Sequence, residues 1–195
     1  MTADKYAYLN LRYFYKNSDE SLIETIEDIS QLGARGIILD LRDNPGGLLT
    51  TVVTIASQFL EDGVVVYEVD GYGDRKNWEV ESDGVAKDIP MVVLVNQFSA
   101  SASEVLSGAL QDHERALVVG TTTYGKGSVS RLKPLSDGGG LYYTYGRWYT
   151  PNGRLIEGNG LEPDVVVPQG PGVQGDQQLE KALELLGKLV SSIDT

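Results

Sequence analysis

The chain has 195 residues, of which 41% are hydrophobic, with no cysteine, one histidine and a formal net charge of −12. Its length and apolar content predict one domain, residues 1–195, with a sizeable core. The negative charge argues against partners such as nucleic acid or anionic lipid. A cysteine nucleophile, disulfides and thiolate zinc sites are excluded, a single histidine argues against a histidine-rich metal site, and no cofactor is expected.

The first two-thirds of the chain alternate between apolar runs that predict strands and periodic segments that predict helices. Strands are predicted at 6–13, 36–41, 64–69, 91–95 and 117–119, and helices from Asn17 to Gly33 and at 48–60 and 101–111. The glycine-dotted segment 70–90 indicates a hairpin or a surface excursion. This β-α-β-α-β order favours parallel crossover units, and hence an α/β fold.

After Lys126 the pattern becomes antiparallel. Strands are predicted at 128–133, 141–145, 147–150 and 165–167, with a hairpin turn at Asn152-Gly153. A Pro/Gly-rich linker at 168–175 leads to an amphipathic helix at 176–190. No apolar run approaches the roughly 20 residues of a membrane span, and the N-terminus lacks a signal-peptide pattern.

Three serines lie where a predicted strand ends and a helix begins: Ser99, Ser101 and Ser103. A serine at a helix start is most often only an N-cap. The same position also presents free amides and the positive end of a helix dipole, which can stabilise an oxyanion. The glycines of the turn Asp43–Gly47 can bring further amides close to a substrate oxygen.

Lys126 stands between two glycines, where a lysine is usually a solvated turn residue. A lysine sheltered from water can instead be uncharged and take a proton from a serine hydroxyl. We therefore expect the Lys126 amine to be sheltered and within hydrogen-bond reach of a serine in the cluster. Serine and lysine together predict a hydrolase.

Other motifs are weaker. Gly120–Gly127 nearly matches a phosphate-binding loop, but Gly127 stands where a magnesium-binding Ser or Thr is needed, and no helix is predicted after it. Ser130–Lys133 matches S-x-x-K on a predicted strand instead of a helix. Asp112 and His113 are adjacent, so on a helix their side chains diverge by about 100° and form a poor triad. The aromatic stretch 142–149 predicts antiparallel packing or a wall for an apolar peptide.

Four segments together resemble one known family, the carboxyl-terminal processing proteases (tail-specific proteases, S41 serine peptidases). They are GARGIILDLRDNPGGLL, NQFSASASEVLSGALQDHERALVVGTTTYGKGSVS, YTPNGRLIEGNGLEPDVVV and the helix DQQLEKAL. The resemblance implies a ClpP/crotonase-like β-α superhelix. It also implies a serine endopeptidase that cleaves polypeptide tails near their C-terminus through an acyl-enzyme.

By the same resemblance the nucleophile is Ser101 and the base is Lys126. The oxyanion hole maps to the amides of Ala102 and of Gly46 or Gly47. An acidic residue that supports activity in some members of the family maps to Asp112.

Two features depart from the family pattern. Ser130 stands where the family usually carries a glutamine that orients the lysine amine, and no PDZ-sized segment fits before the core. The alternative is therefore an impaired peptide-binding or assembly module of the same fold, with nucleotide binding third. The resemblance implies a place outside the cytoplasm (periplasm, cell envelope or thylakoid lumen), and an oligomer is possible.

Overall fold

The structure is a computed structural model that describes residues 2, 4–81, 84–168 and 175–193. Its elements follow the chain as β1 (Tyr6–Asn10), α1 (Ser18–Gln31), β2 (Gly36–Asp40), α2 (Leu49–Ser57), β3 (Val64–Asp70), β4 (Arg75–Glu79), β5 (Met91–Val95), α3 (Ala102–Asp112), β6 (Leu117–Gly120), β7 (Ser128–Pro134), β8 (Gly140–Tyr149), β9 (Val165–Val166) and α4 (Gln177–Ile193). The α/β class is confirmed.

A parallel sheet in the order β1-β2-β5-β6-β9 forms the centre of the molecule. Every residue of β2 and β5 is buried, as expected for parallel strands covered on both faces. One face packs on α1, α2 and α3, and the other face packs on α4. The strands therefore end, at their carboxyl edge, between two helical layers.

The second sheet is antiparallel, in the order β4-β3-β8-β7. The prediction that 64–69 belongs to the parallel run is wrong, because β3 pairs with β4 and β8. Its residues alternate between buried and half-buried from Val66 to Val69, which suits a sheet with one solvated face. The hairpin interpretation of 70–90 is confirmed, and the segments 141–145 and 147–150 form one strand. The last short strand, β9, joins the parallel sheet instead of an antiparallel one.

The C-terminal helix is confirmed as α4, which buries Ala182, Leu186 and Val190 against the parallel sheet. Of the predicted linker 168–175, residues 169–174 lie outside the described residues. The predicted Asn152-Gly153 turn is confirmed, because the Thr150 amide donates to the Arg154 carbonyl across it. In the part of the chain that the structure describes, no helix is long and apolar enough to cross a membrane.

Candidate active site

Ser101 is the one serine of its cluster that stays accessible. It immediately precedes α3 with φ 57° and ψ −116°, a strained backbone conformation for a residue with a side chain. Ser99 and Ser103 are fully buried, and their hydroxyls donate to the carbonyls of Leu41 and Asn44 at 2.8 Å. Ser101 is therefore the candidate nucleophile that the structure leaves half-exposed.

The buried carboxylate of Glu104 ties the Ser101 and Lys126 segments together. It is 0% exposed and accepts from the Ser101 amide at 2.8 Å and the Lys126 amide at 2.8 Å. It also accepts from the Gly125 amide and the Thr123 hydroxyl, both at 2.6 Å. A carboxylate with four donors is well compensated for burial.

Sequence reasoning missed Glu104, although a signal was present. Ser101 and Glu104 form the S-x-x-E pattern of a capping box, in which the glutamate reaches back to the N-cap amide, and that half of the box is observed. The additional bonds to Thr123, Gly125 and Lys126 depend on a loop about 20 residues further along the chain. Local sequence holds no information about that loop's position.

The Lys126 loop is held from behind by the segment 156–160. The Gly158 amide donates to the Gly125 carbonyl at 2.9 Å, and the Gly127 amide donates to the Glu157 carboxylate at 2.7 Å. A Cβ on Gly125 would lie 3.0 Å from the Gly160 nitrogen, and the φ of Gly125 is +88°. The glycines therefore allow backbone-to-backbone packing, and the lysine side chain points away from it.

The expectation that Lys126 is sheltered is wrong for this structure, since its side chain is exposed. Among the described residues, no hydrogen bond joins its amine to the Ser101 hydroxyl. Lys126 lies in the loop that leads into β7, an edge strand of its sheet, and side chains of surface loops are commonly open to solvent. Glu104 binds the backbone amides of the two segments and not the lysine side chain.

The turn 43–47 packs against Ser101 through Gly46, and the next residue, Gly47, carries an unused amide. The Gly46 amide donates to the Asn44 side chain at 2.8 Å, so it is not available to an oxyanion. Within the described residues, the amides of Gly47 and Ala102 have no acceptor, and Gly47 is exposed. Of the two glycines that the resemblance assigns to the oxyanion hole, Gly47 is therefore the one whose amide is unused.

Gly46 is also required for close packing. Its φ is +103°, and a Cβ there would lie 2.7 Å from the Ala100 carbonyl oxygen and 2.8 Å from the Ser101 Cβ. We expect Gly46→Ala to lose activity and to lower the free energy of unfolding by about 1–3 kcal/mol more than Gly138→Ala. Gly138 has a similar φ of +86° with open space around it, so the backbone strain is common to both variants. Urea unfolding measures the difference, and equal losses would show that the close approach is unimportant.

The remaining candidates lie away from Ser101. Asp112 forms an ion pair with Arg154 and accepts from the Asn152 amide at 2.8 Å. It ends α3, about 16 Å from Ser101 at the rise of a helix, so it supports the 150–154 turn. The His113 ring nitrogen lies 2.9 Å from the Val64 carbonyl, and Ser101, Asp112 and His113 do not form a triad.

Ser130 lies on β7, and its hydroxyl is 3.1 Å from that of Thr144. Because Ser130–Lys133 forms part of a strand, its S-x-x-K match lacks the expected helical context. Gly120–Gly127 also leads into a strand and not a helix, so it has no helix N-terminus to receive a phosphate.

Comparison with known proteins identifies the family of the chain. The profile of Peptidase family S41 matches residues 5–167. A carboxyl-terminal-processing protease of Picosynechococcus sp. is 40% identical over 189 residues, which cover 94% of this chain and 45% of that protein. Carboxyl-terminal-processing peptidase 2, chloroplastic, of Arabidopsis thaliana is 41% identical over 166 residues, or 85% of this chain and 32% of that protein.

Solved structures show the same fold. A photosystem II D1 C-terminal processing protease aligns with a TM-score of 0.82 at 36% identity, covering 93% of this chain and 46% of that one. The tricorn protease shares the fold at a TM-score of 0.60 and 15% identity, over 98% of this chain and 18% of that one.

By class, these matches place the chain in a family of peptidases. More particularly, the chain belongs to peptidase family S41, and the curated relatives described above are carboxyl-terminal-processing proteases. The chain spans less than half the length of those relatives.

Proposed function

We propose that the chain is the core of a serine endopeptidase that cleaves polypeptides near their C-terminus, with Ser101 as nucleophile and Lys126 as base. The observation that carries this proposal is the buried Glu104 carboxylate, which binds the backbone amides of both residues. Membership of family S41 supports the same assignment. No metal or cofactor takes part in the proposed chemistry.

In the proposed reaction, the uncharged Lys126 amine takes the proton from the Ser101 hydroxyl as its oxygen attacks the peptide carbonyl. The Ala102 and Gly47 amides donate to the oxyanion, aided by the N-terminal end of the α3 dipole. The proton then passes to the leaving amine, and an acyl-enzyme remains. Lys126 next activates a water molecule, which releases the new C-terminus and regenerates the serine.

Because Lys126 is exposed in the free protein, the bound substrate is the group that shelters its amine in the proposed reaction. An extended peptide lying across the site covers the lysine side chain and excludes water from it, which favours the uncharged amine. Exposed apolar side chains beside the three site loops suit such a peptide. These are Leu48 after Gly47, Phe98 before the serine cluster and Tyr124 before Gly125, which are 49%, 58% and 66% exposed.

Chemical labelling tests the nucleophile before any substrate is known. We expect a fluorophosphonate probe to modify Ser101 in the folded protein, because only an activated serine reacts readily with such a probe. Peptide mapping by mass spectrometry locates the adduct. Denatured protein and the Ser101→Ala variant serve as controls, and labelling of both at the wild-type level would contradict the assignment.

A peptide-binding or assembly module is the second candidate. It is favoured by the pairing of Ser130 with Thr144 and by the exposed Lys126, since neither arrangement orients an amine toward Ser101. Such a module would bind a peptide tail and leave the probe unreacted. Because the chain covers less than half of its relatives, the polypeptide substrates, the extracytoplasmic location and any oligomer are likewise proposals by resemblance.

A further inference from the structure

Arg42 joins the C-terminal helix to the strand that leads into the active-site turn. Its Nε donates to the two Asp40 oxygens at 2.9 and 3.0 Å. Its Nη1 and Nη2 donate to the two Asp176 oxygens at 2.8 and 2.9 Å. Nη2 also reaches Asp40 at 2.6 Å, and Nη1 reaches Gln178 at 3.2 Å. One edge of the guanidinium is thus held by β2 and the other by the start of α4.

Asp176 is itself firmly placed. It immediately precedes α4, where its carboxylate accepts from the Leu179 amide at 3.0 Å as an N-cap does. Its bond to Arg42 lowers the pKa of the Asp176 carboxyl. The neighbouring Gln178 is 1% exposed and donates to the Val167 carbonyl at 2.8 Å. The helix therefore offers Arg42 a rigid anionic partner.

The residue after Arg42 begins the turn that carries Gly47. Asp43 has φ +60°, and its amide donates to the Asn96 side chain at 3.0 Å while Asn96 donates back to its carboxylate at 2.9 Å. Asn44 is fully buried and holds the Gly46 amide. This strained turn packs against Ser101 through Gly46 at one end, and at the other end its first residue directly follows Arg42.

We propose that Asp176 is a positioning residue for the active site: by holding Arg42, it sets the turn 43–47 so that the Gly47 amide faces the reacting oxygen. The proposal rests on the proposed peptidase function for its catalytic consequence, but its structural step is independent of it. Asp40 restrains one edge of the Arg42 guanidinium, and on the other edge Gln178 gives only one longer, uncharged contact, so without the Asp176 carboxylate the side chain pivots and the turn loosens. The C-terminal helix thereby acts on catalysis without touching substrate.

Asp176→Asn tests this proposal with little change to the helix, because asparagine is also a good N-cap. Asparagine is uncharged, however, and turns an N–H₂ group toward Arg42, so the ion pair is lost. We expect kcat to fall about tenfold to a hundredfold, as for a small misplacement of a catalytic group, with KM unchanged. Affinity for a peptide aldehyde, which needs the oxyanion donors, should fall in parallel. Glu184→Gln removes the ion pairs to Lys181 and Lys188 on the exposed face of the same helix and should change neither quantity.

Hydrogen–deuterium exchange gives a readout that does not depend on activity. In Asp176→Asn, the peptide covering 41–48 should exchange about tenfold faster or more, while the α4 core stays protected. Unchanged exchange at 41–48, or an increase confined to α4 and β9, would overturn the proposal. Asp176 would then only stabilise the start of the helix. If the wild type cleaves no peptide, the peptidase proposal fails, and exchange still decides whether Asp176 sets the turn.

Discussion

Ser101→Ala is expected to abolish peptide cleavage, by a factor of about 10⁴ or more, while the melting temperature stays close to that of the wild type. The hydroxyl is half-exposed, and Glu104 binds the backbone amide of Ser101 and not its side chain, so removal of the hydroxyl costs no more than the roughly 1 kcal/mol of a helix N-cap. Lys126→Met should produce a loss of similar size, since the two groups act in one proton transfer. Cleavage of a peptide tail, followed by mass spectrometry, measures both.

Lys126→Arg separates the base from a merely positive charge. Arginine keeps the charge but cannot be deprotonated in a protein, so this variant should be as inactive as Lys126→Met. Lys133→Met, near the end of strand β7 that follows the Lys126 loop, is the matched control and should cleave at the wild-type rate. Appreciable activity in Lys126→Arg would show that the lysine acts by electrostatics alone, and unchanged turnover in Lys126→Met would remove it from the mechanism.

Glu104→Gln is expected to damage both stability and activity. The amide is the same size as the carboxylate, but it has one acceptor oxygen and directs an N–H₂ group at backbone N–H donors. We expect the free energy of unfolding to fall by about 2–4 kcal/mol, which lowers the melting temperature by roughly 4–16 °C in a protein of this size. We also expect kcat to fall about a hundredfold or more, because the Ser101 and Lys126 segments lose their common anchor.

Thr123→Val provides a comparison, because it removes one of the four donors to Glu104 and keeps the side-chain shape, although the Leu161 amide also loses its acceptor. We expect it to lower stability, since a buried amide is left without a partner, and its labelling by a fluorophosphonate should be weakened but present. A Glu104→Gln protein that melts and cleaves like the wild type would mean that the carboxylate is not the link between the two segments.

Local sequence correctly predicted the strands in which every residue is buried. Strands β2 and β5 are short apolar runs bounded by turn residues, and both have the expected position and the expected complete burial. Strand β3 was wrongly expected in the parallel sheet, because a short apolar run does not indicate which strand it will pair with. Its pairing with β8 joins residues about 80 positions apart, and only tertiary packing decides it.

In the candidate site, too, some residues could be identified from local sequence and others could not. Ser101 stands out locally, since a serine cluster at a strand-to-helix junction is visible in the sequence, and the flanking glycines mark Lys126. The link between Arg42 and Asp176 spans 134 residues and has no local signal. The exposure of Lys126 agrees with the usual behaviour of a lysine in a glycine-flanked turn, whereas the shelter expected for a catalytic base had no local signal in the sequence.

A crystal structure with a peptide boronate bonded to Ser101 would show whether the Lys126 amine is the base for Ser101. We expect the Lys126 Nζ within about 3.2 Å of the Ser101 Oγ, with the Ala102 and Gly47 amides within about 3.1 Å of a boronate oxygen. A fully occupied adduct in which the lysine still points into solvent, away from Ser101, would contradict this role of Lys126.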